Sequence, residues 1–420
     1  MIHAALIGAG ARGRTSYGPY ALKNPREIKF VAVAEPDEQK RELFASQHQI
    51  PPERQYASWE QMLEQPQLCE ALLICTADEL HFAPTMQGLQ QGYHILLEKP
   101  MSPRPEEVWL MAEEARKRRR LLLIGHVLRY TPFFRALKQL INEHRIGRII
   151  NIQWTEHVAY WHQAHSYVRG NWRNSDQSSP MILAKSCHDT DLIRWLVGEP
   201  CEQVSSFGGL THFKPENAPE GSTERCIEGC AVESSCPYSA LKLYYNEREH
   251  WPQYMVSLEP TLEARKKGLE EGIYGRCVYH CDNNVVDHQV VNMRFRNETT
   301  VSFTMVAFSV EGNRTFNIKG TEGEIEGDFK NNRLEIKSFS GRKEVIVPEV
   351  AESGHGGGDH RLMKEFVQLV SQGANTGETS ALQSAESHMI AFASEQSRIS
   401  GKTVSLQEYM EEVRRKAVGH

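Results

Sequence analysis

Gly8-Ala9-Gly10-Ala11-Arg12-Gly13 carries the first chemistry legible in the chain. It follows the apolar run Ala4-Ala5-Leu6-Ile7 and precedes a polar segment able to open a helix, the context in which a G-x-G-x-x-G turn holds a dinucleotide. Gly8 permits the tight turn, Gly10 lets the backbone approach a pyrophosphate, and Gly13 lets helix and strand pack closely. Free N–H groups at the helix start, with Ala11 and Arg12 at that edge, would face the phosphates. Glu35 ends a second apolar stretch, residues 28–34, about twenty residues past the last glycine. A carboxylate there accepts hydrogen bonds from ribose hydroxyls and repels a 2′-phosphate, which favours NAD over NADP, although Arg12 and Arg14 offer charge to a phosphate.

Cys226, Cys230 and Cys236 form a second candidate group, in a polar, loop-like stretch, with Cys277 further on. Thiolates at loop spacing suit a tetrahedral, structural zinc, with Cys281 or His212 as substitutes for Cys277. An iron–sulfur cluster also takes three-plus-one cysteines, and unrelated buried thiols or a disulfide remain as the alternative. A closed metal site would brace an insertion, at about 205–275, too small to hold itself. Trp251, Tyr254, Tyr244 and Tyr245 follow the cysteines and suit either sugar stacking or core packing. Glu156, His157, Tyr160, Trp161, His162 and His165 form a polar loop expected near a substrate cleft, as do polar residues in 277–288.

The elements that must position these groups follow from periodicity. Helices are expected at 38–47, 59–63 and 105–119, and short apolar strands at 72–76, 94–97 and 121–126. Alternation of this kind predicts a parallel, doubly wound sheet with ligands at the carboxyl ends of its strands. His81, Lys99 and His126 fall at such ends and should converge on the cofactor's working end. Residues 290–296, 299–308, 314–319, 323–328 and 333–337 alternate and turn like antiparallel strands. Gly354-His355-Gly356-Gly357-Gly358-Asp359 is a glycine-rich loop before a helix at 360–371, and lacks the ending of a phosphate loop. With 420 residues the chain can bury two cores. Its net charge of −6 gives no basic surface for nucleic acid, since Lys117-Arg118-Arg119-Arg120 complements a helix C-terminus. No apolar run approaches a membrane span and no signal segment opens the chain, so a cytoplasmic protein without a membrane partner is expected. Nine cysteines, an odd count, argue for thiols or a metal site over a disulfide framework.

Gly8-x-Gly10-x-x-Gly13, Thr76 to His81, Glu98-Lys99-Pro100, Arg129 with Pro132, Trp172-Arg173, His188-Asp189-Thr190-Asp191 and the stretch 317–323 together resemble the Gfo/Idh/MocA oxidoreductase family. The resemblance implies an N-terminal Rossmann domain at 1–125. An α/β domain at 126–420, with a large, mostly antiparallel open sheet, would follow. It further implies a small carbohydrate substrate between sheet and nicotinamide, and a homo-oligomer (dimer or tetramer) formed through the sheet's other face. Lys99 and His188 match the family's catalytic lysine and histidine. Thr76, His81, Glu98 and Lys99 would join the cofactor set, and Arg129, Tyr130, Trp172, Arg173, Lys185, Asp191 and His355 the substrate set. The residue types suit hydride removal from a carbinol, where a histidine takes the proton and a lysine stabilises the developing alkoxide. One departure is Ala184, where many members carry an aspartate; Lys185 beside it could meet an anionic group on the substrate. Three functions are compatible with these residues: an NAD-dependent sugar, polyol or glycoside dehydrogenase, an NAD-dependent glycosidase working by transient oxidation, and a non-catalytic nucleotide sensor.

Overall fold

The computed structural model describes residues 1–350 and 354–418, which build two sheets. The first contains β1 (Ile2–Ile7), β2 (Ile28–Ala34), β3 (Gln55–Tyr56), β4 (Ala71–Ile74), β5 (His94–Leu97) and β6 (Leu122–Ile124), all parallel, in the order β3-β2-β1-β4-β5-β6. Every residue of β4, β5 and β6 is buried. Helices cover both faces of such a sheet, so its strands read as continuous apolar runs. Strand order reverses between β1 and β4, and the crevice beyond their carboxyl ends is where an open α/β sheet binds its ligand. The glycine turn leaves β1 at that point.

The second sheet contains β7 (Ile149–Ala159), β8 (Cys201–Gly209), β9 (His288–Phe295), β10 (Thr300–Ser309), β11 (Asn313–Gly320), β12 (Gly323–Asp328), β13 (Arg333–Ser338), β14 (Lys343–Ile346) and β15 (Val404–Ser405). Its order is β14-β13-β12-β11-β7-β10-β9-β8-β15, with β10 parallel to β7 and the other pairs antiparallel. Alternate residues of β9 to β12 are buried, so one face carries the core and the other stays open. Trp154 of β7 stacks on Phe316 of β11 at 4.7 Å and lies beside Phe134 of the helix Pro132–Asn142. Each such buried ring contributes on the order of 2 kcal/mol from area alone. The helix Ala381–Ser400 packs on β8 and on the helix Pro105–Arg118, and so joins the two sheets. Among the described residues no helix is long and apolar enough to cross a membrane.

Three local expectations are corrected. Residues 205–209, expected in the insertion, belong to β8 and pair with β9, so the excursion runs from 210 to 287. β3 and β14 were not foreseen, being too short to show a period. The chain after the glycine turn first winds as a wide π turn, Arg12–Tyr17, before the helix Gly18–Lys23.

Candidate active site

Gly8 takes φ +92°, and a Cβ there would stand 2.7 Å from the carbonyl oxygen of Cys75, so only glycine fits. A Cβ on Gly13 would stand 2.4 Å from the Gly8 carbonyl oxygen, which keeps the turn tight against the following helix. At Gly10, by contrast, a Cβ would meet nothing within 4 Å. That open space beside bare backbone is the cradle a pyrophosphate needs. The buried Glu35 carboxylate accepts hydrogen bonds from the backbone N–H groups of Ala9 (2.8 Å) and Asp37 (3.1 Å), which aim it at the loop from the end of β2. Thr76, packed against Gly8, keeps a buried hydroxyl without a partner. These groups fit a dinucleotide.

Arg12, Glu98 and His81, expected to touch the cofactor, are engaged in hydrogen bonds within the protein. Arg12 donates to Glu98 Oε1 (2.7 Å), Asp359 Oδ1 (2.8 Å) and the Tyr17 hydroxyl (2.9 Å). Glu98 also accepts from Tyr17 Oη and from the backbone N–H of Lys99 (3.1 Å). Burial alone would raise the Glu98 carboxyl, but Arg12, Tyr17 and Lys99 more than offset it and hold it below the usual range. Both ring nitrogens of His81 face backbone carbonyls, Pro100 at 2.7 Å and Thr76 at 3.1 Å, so it ties two strand ends together.

Lys99 lies within electrostatic reach of His188. Lys99 Nζ donates to the carbonyl oxygen of Ala184 (2.9 Å) and lies 5.8 Å from the Trp172 ring. A backbone carbonyl thus stands where a side-chain carboxylate was noted as missing. His188, second residue of the helix Cys187–Val197, keeps a buried Nδ1 without a partner. Burial, then the charges of Lys99 and Arg314, hold its pKa well below the ordinary imidazole value. Burial and these charges therefore favour the neutral imidazole. His355 reaches the same place, its ring 6.4 Å from His188 and its Nδ1 3.0 Å from Asp359 Oδ2. Trp172 Nε1 donates to Asp78, which also accepts from Ser179 Oγ (2.8 Å).

Sequence reasoning named His162 only as one of a polar group and passed over Asp78. Burial, then the charges of Lys185, His165 and Lys99, depress the His162 pKa, and Trp251 of the excursion covers its ring at 4.9 Å. Tyr254 reaches the Arg14 guanidinium at 6.0 Å, so the excursion spans from substrate side to glycine turn. Tyr244 is core: its hydroxyl lies 2.8 Å from His165 Nδ1. No periodicity signals such contacts.

Other expected substrate residues are committed elsewhere. Arg129 and Asp191 form a buried two-point ion pair (2.7 and 2.5 Å), and Tyr130 is buried against Thr379 and Glu365. Arg173 pairs with Asp282 at 2.8 Å. Lys185 pairs with the buried Glu156 at 3.2 Å, and Glu156 with Arg314 at 2.8 Å, so Lys185 carries no spare charge for an anionic substrate. Zinc at Cys226, Cys230, Cys236 and Cys277 is not borne out: among the described residues no three His, Cys, Asp or Glu side chains are grouped to hold a metal ion.

With this geometry in hand, similarity to known proteins is informative. Residues 2–126 match a family described as oxidoreductases with an NAD-binding Rossmann fold, and residues 138–406 match that family's C-terminal α/β domain. A putative oxidoreductase, YteT, of Bacillus subtilis is 24% identical over 71% of this chain and 72% of its own length. The 1,5-anhydro-D-fructose reductase of Ensifer adhaerens is 30% identical over 35% of this chain and 44% of its own. Levoglucosan dehydrogenase, solved with NADH and levoglucosan, superimposes with a TM-score of 0.72 at 17% identity, covering 96% of this chain and 99% of its own; at that identity the likeness concerns the fold.

Proposed function

The chain belongs to the Gfo/Idh/MocA oxidoreductase family, and we propose that it oxidises a carbinol carbon of a sugar, polyol or glycoside with NAD as hydride acceptor. One observation carries the reading: Lys99, just past the carboxyl end of β5, bears electrostatically on a buried His188 whose Nδ1 has no partner. A dinucleotide whose pyrophosphate sat in the glycine cradle would supply its nicotinamide as the hydride acceptor. His188 takes the proton of the reacting hydroxyl. Lys99 stabilises the alkoxide as it forms, in a position where its nearest anchor is the Ala184 carbonyl. Trp172, held by Asp78, offers an apolar face to a sugar ring. The name of the Ensifer adhaerens relative, a reductase of an anhydro-sugar, supports a carbohydrate. We further assign self-association, as a dimer or tetramer, to the open face of the second sheet, which light scattering on the eluted protein would measure.

The test incubates purified protein with NAD and a panel of free sugars, polyols and chromogenic glycosides, following NADH and released aglycone together. NADH accumulation with one sugar class, lost in Lys99→Met while NAD binding persists, is the expected result. Aglycone release that needs NAD yet accumulates no NADH would replace this reading with a redox-neutral glycosidase. Turnover unchanged in Lys99→Met would remove Lys99 from the chemistry.

A further inference from the structure

His126 lies just past the carboxyl end of β6, is fully buried, and takes no part in the proton transfer described above. Among the described residues neither of its ring nitrogens has a hydrogen-bond partner. Its Nε2 stands 3.6 Å from Asp191 Oδ1, just beyond hydrogen-bond length. Its ring meets that of His188 edge to face, with centroids 6.1 Å apart. Leaving both nitrogens of a buried imidazole unpaired costs free energy, and a phenylalanine would fill the space without that cost.

His188 has the matching deficit, since its Nδ1 is buried and unpartnered. For Nε2 to accept the substrate proton, the resting ring must carry its own proton on Nδ1. Which nitrogen of a histidine holds the proton is set by the hydrogen bond the other one makes. In a serine-type triad a carboxylate supplies that bond. Here the carboxylates of the same helix are taken. Asp191 holds Arg129 (2.7 and 2.5 Å), and Asp189 holds Trp154 Nε1 (2.9 Å) and Arg314 Nε (2.8 Å). Two further imidazoles lie nearby and both are committed. His355, 6.4 Å from His188, is exposed and has its Nδ1 3.0 Å from Asp359. His388, 5.4 Å from His126, donates through Nδ1 to Ser384 O (2.7 Å) and accepts through Nε2 from Met101 N (3.0 Å). His126 is the group left to accept.

Its surroundings favour that role. Burial, then the charges of Arg129 and Lys99, hold its pKa well below the ordinary imidazole value, so the ring keeps a lone pair. With Nε2–H turned to Asp191, Nδ1 is the nitrogen left for His188. We propose, granted His188 as the proton acceptor, that His126 is its positioning residue: it accepts the Nδ1–H of His188 and so leaves Nε2 open to the substrate hydroxyl. The rings must close slightly to do so, and catalytic hydrogen bonds that are long before substrate binds tighten with it. In the step itself the hydroxyl proton goes to His188 Nε2 as hydride goes to NAD. The Nδ1 proton stays on His188, and His126 keeps its own.

The experiment is ring-nitrogen NMR on the full chain with labelled histidine and bound NAD, the His188 signals being identified by their loss in His188→Gln. A proton on Nδ1 of His188 in the wild-type chain is the expected result, and a proton on Nε2 would overturn the assignment. This readout needs no turnover, so it stands apart from the dehydrogenase reading, which fails by itself if no sugar or polyol yields NADH. With a substrate that does, His126→Phe should lower kcat roughly tenfold or more. KM for substrate and NAD should stay within about twofold. His126→Asn, whose amide oxygen can accept, should recover most of the rate. Unchanged kcat in His126→Phe, or equal losses in the two variants while both bind NAD, would reduce His126 to packing.

Discussion

Arg12 Nε donates to Glu98 Oε1 at 2.7 Å, and Glu98 directly precedes Lys99. The glycine turn and the lysine are therefore held by one partly buried pair, so a change in it should be felt in both cofactor binding and chemistry. Glu98→Gln, which removes the charge facing Arg12, is expected to lower kcat/KM at least about tenfold, a loss of about 1.4 kcal/mol. It should also raise KM for NAD. Initial-rate kinetics with varied NAD check both, and an unchanged KM would disconnect the pair from the cofactor.

The same pair bears on cofactor choice. Arg12 is engaged by Glu98 and Asp359, so it is not free for a 2′-phosphate, and Glu35 occupies the end of β2. NAD should outperform NADP, and Glu35→Ser should narrow the preference by about tenfold or more, judged by kcat/KM for each. A preference unaffected by Glu35→Ser would locate the discrimination elsewhere.

Activity should be insensitive to mild acid. Burial and the charges of Lys99 and Arg314 depress the His188 pKa, so this base stays deprotonated below pH 6.5, the ordinary imidazole value. The kcat/KM for oxidation at pH 6 is therefore expected to match that at pH 7 within about twofold. Half-loss near pH 6.5 would contradict a buried, neutral His188 as acceptor.

Stability, in contrast, should fall with acid over the same range. Burial depresses His48 to about 4, His165 to about 3 and His388 to about 3. With folded values below the unfolded 6.5, the unfolded chain binds more protons as pH drops. Their stabilisation is complete above 6.5 and declines as pH falls towards the folded values. Each contributes up to roughly 1.4 kcal/mol per pH unit in that window. Urea unfolding at pH 7, 6 and 5 should show the decline, and His388→Asn should flatten it.

Asp191 was expected at the substrate and is instead locked to Arg129. Asp191→Ala leaves a buried, unpaired guanidinium and should cost about 3–5 kcal/mol. Arg129→Met combined with Asp191→Leu should cost less. Any folded variant should keep the wild-type substrate KM within about twofold, and a large KM rise would return Asp191 to the cleft.

The sequence by itself determined the features that depend on a few neighbouring residues. Gly8, Gly10 and Gly13 are legible because the tight turn and its packing exclude a Cβ at Gly8 and Gly13, and Gly10 leaves its cradle open. The position of Lys99 just past β5 was legible because a short apolar strand must end where the apolar run ends. The alternating strands of the second sheet were legible from their period of two. Tertiary structure alone decided which charged side chains work and which hold the frame. Asp191 and His188 share a helix, yet the helix turns Asp191 towards Arg129 and leaves His188 Nδ1 without a partner. Lys185 lost its expected role to Glu156, a strand residue whose partner choice depends on how β7 meets the helices. His162 is covered by Trp251 because the excursion folds back over it. A charge's partner is set by elements far apart in the chain, and burial makes that partner obligatory, so no local pattern records it.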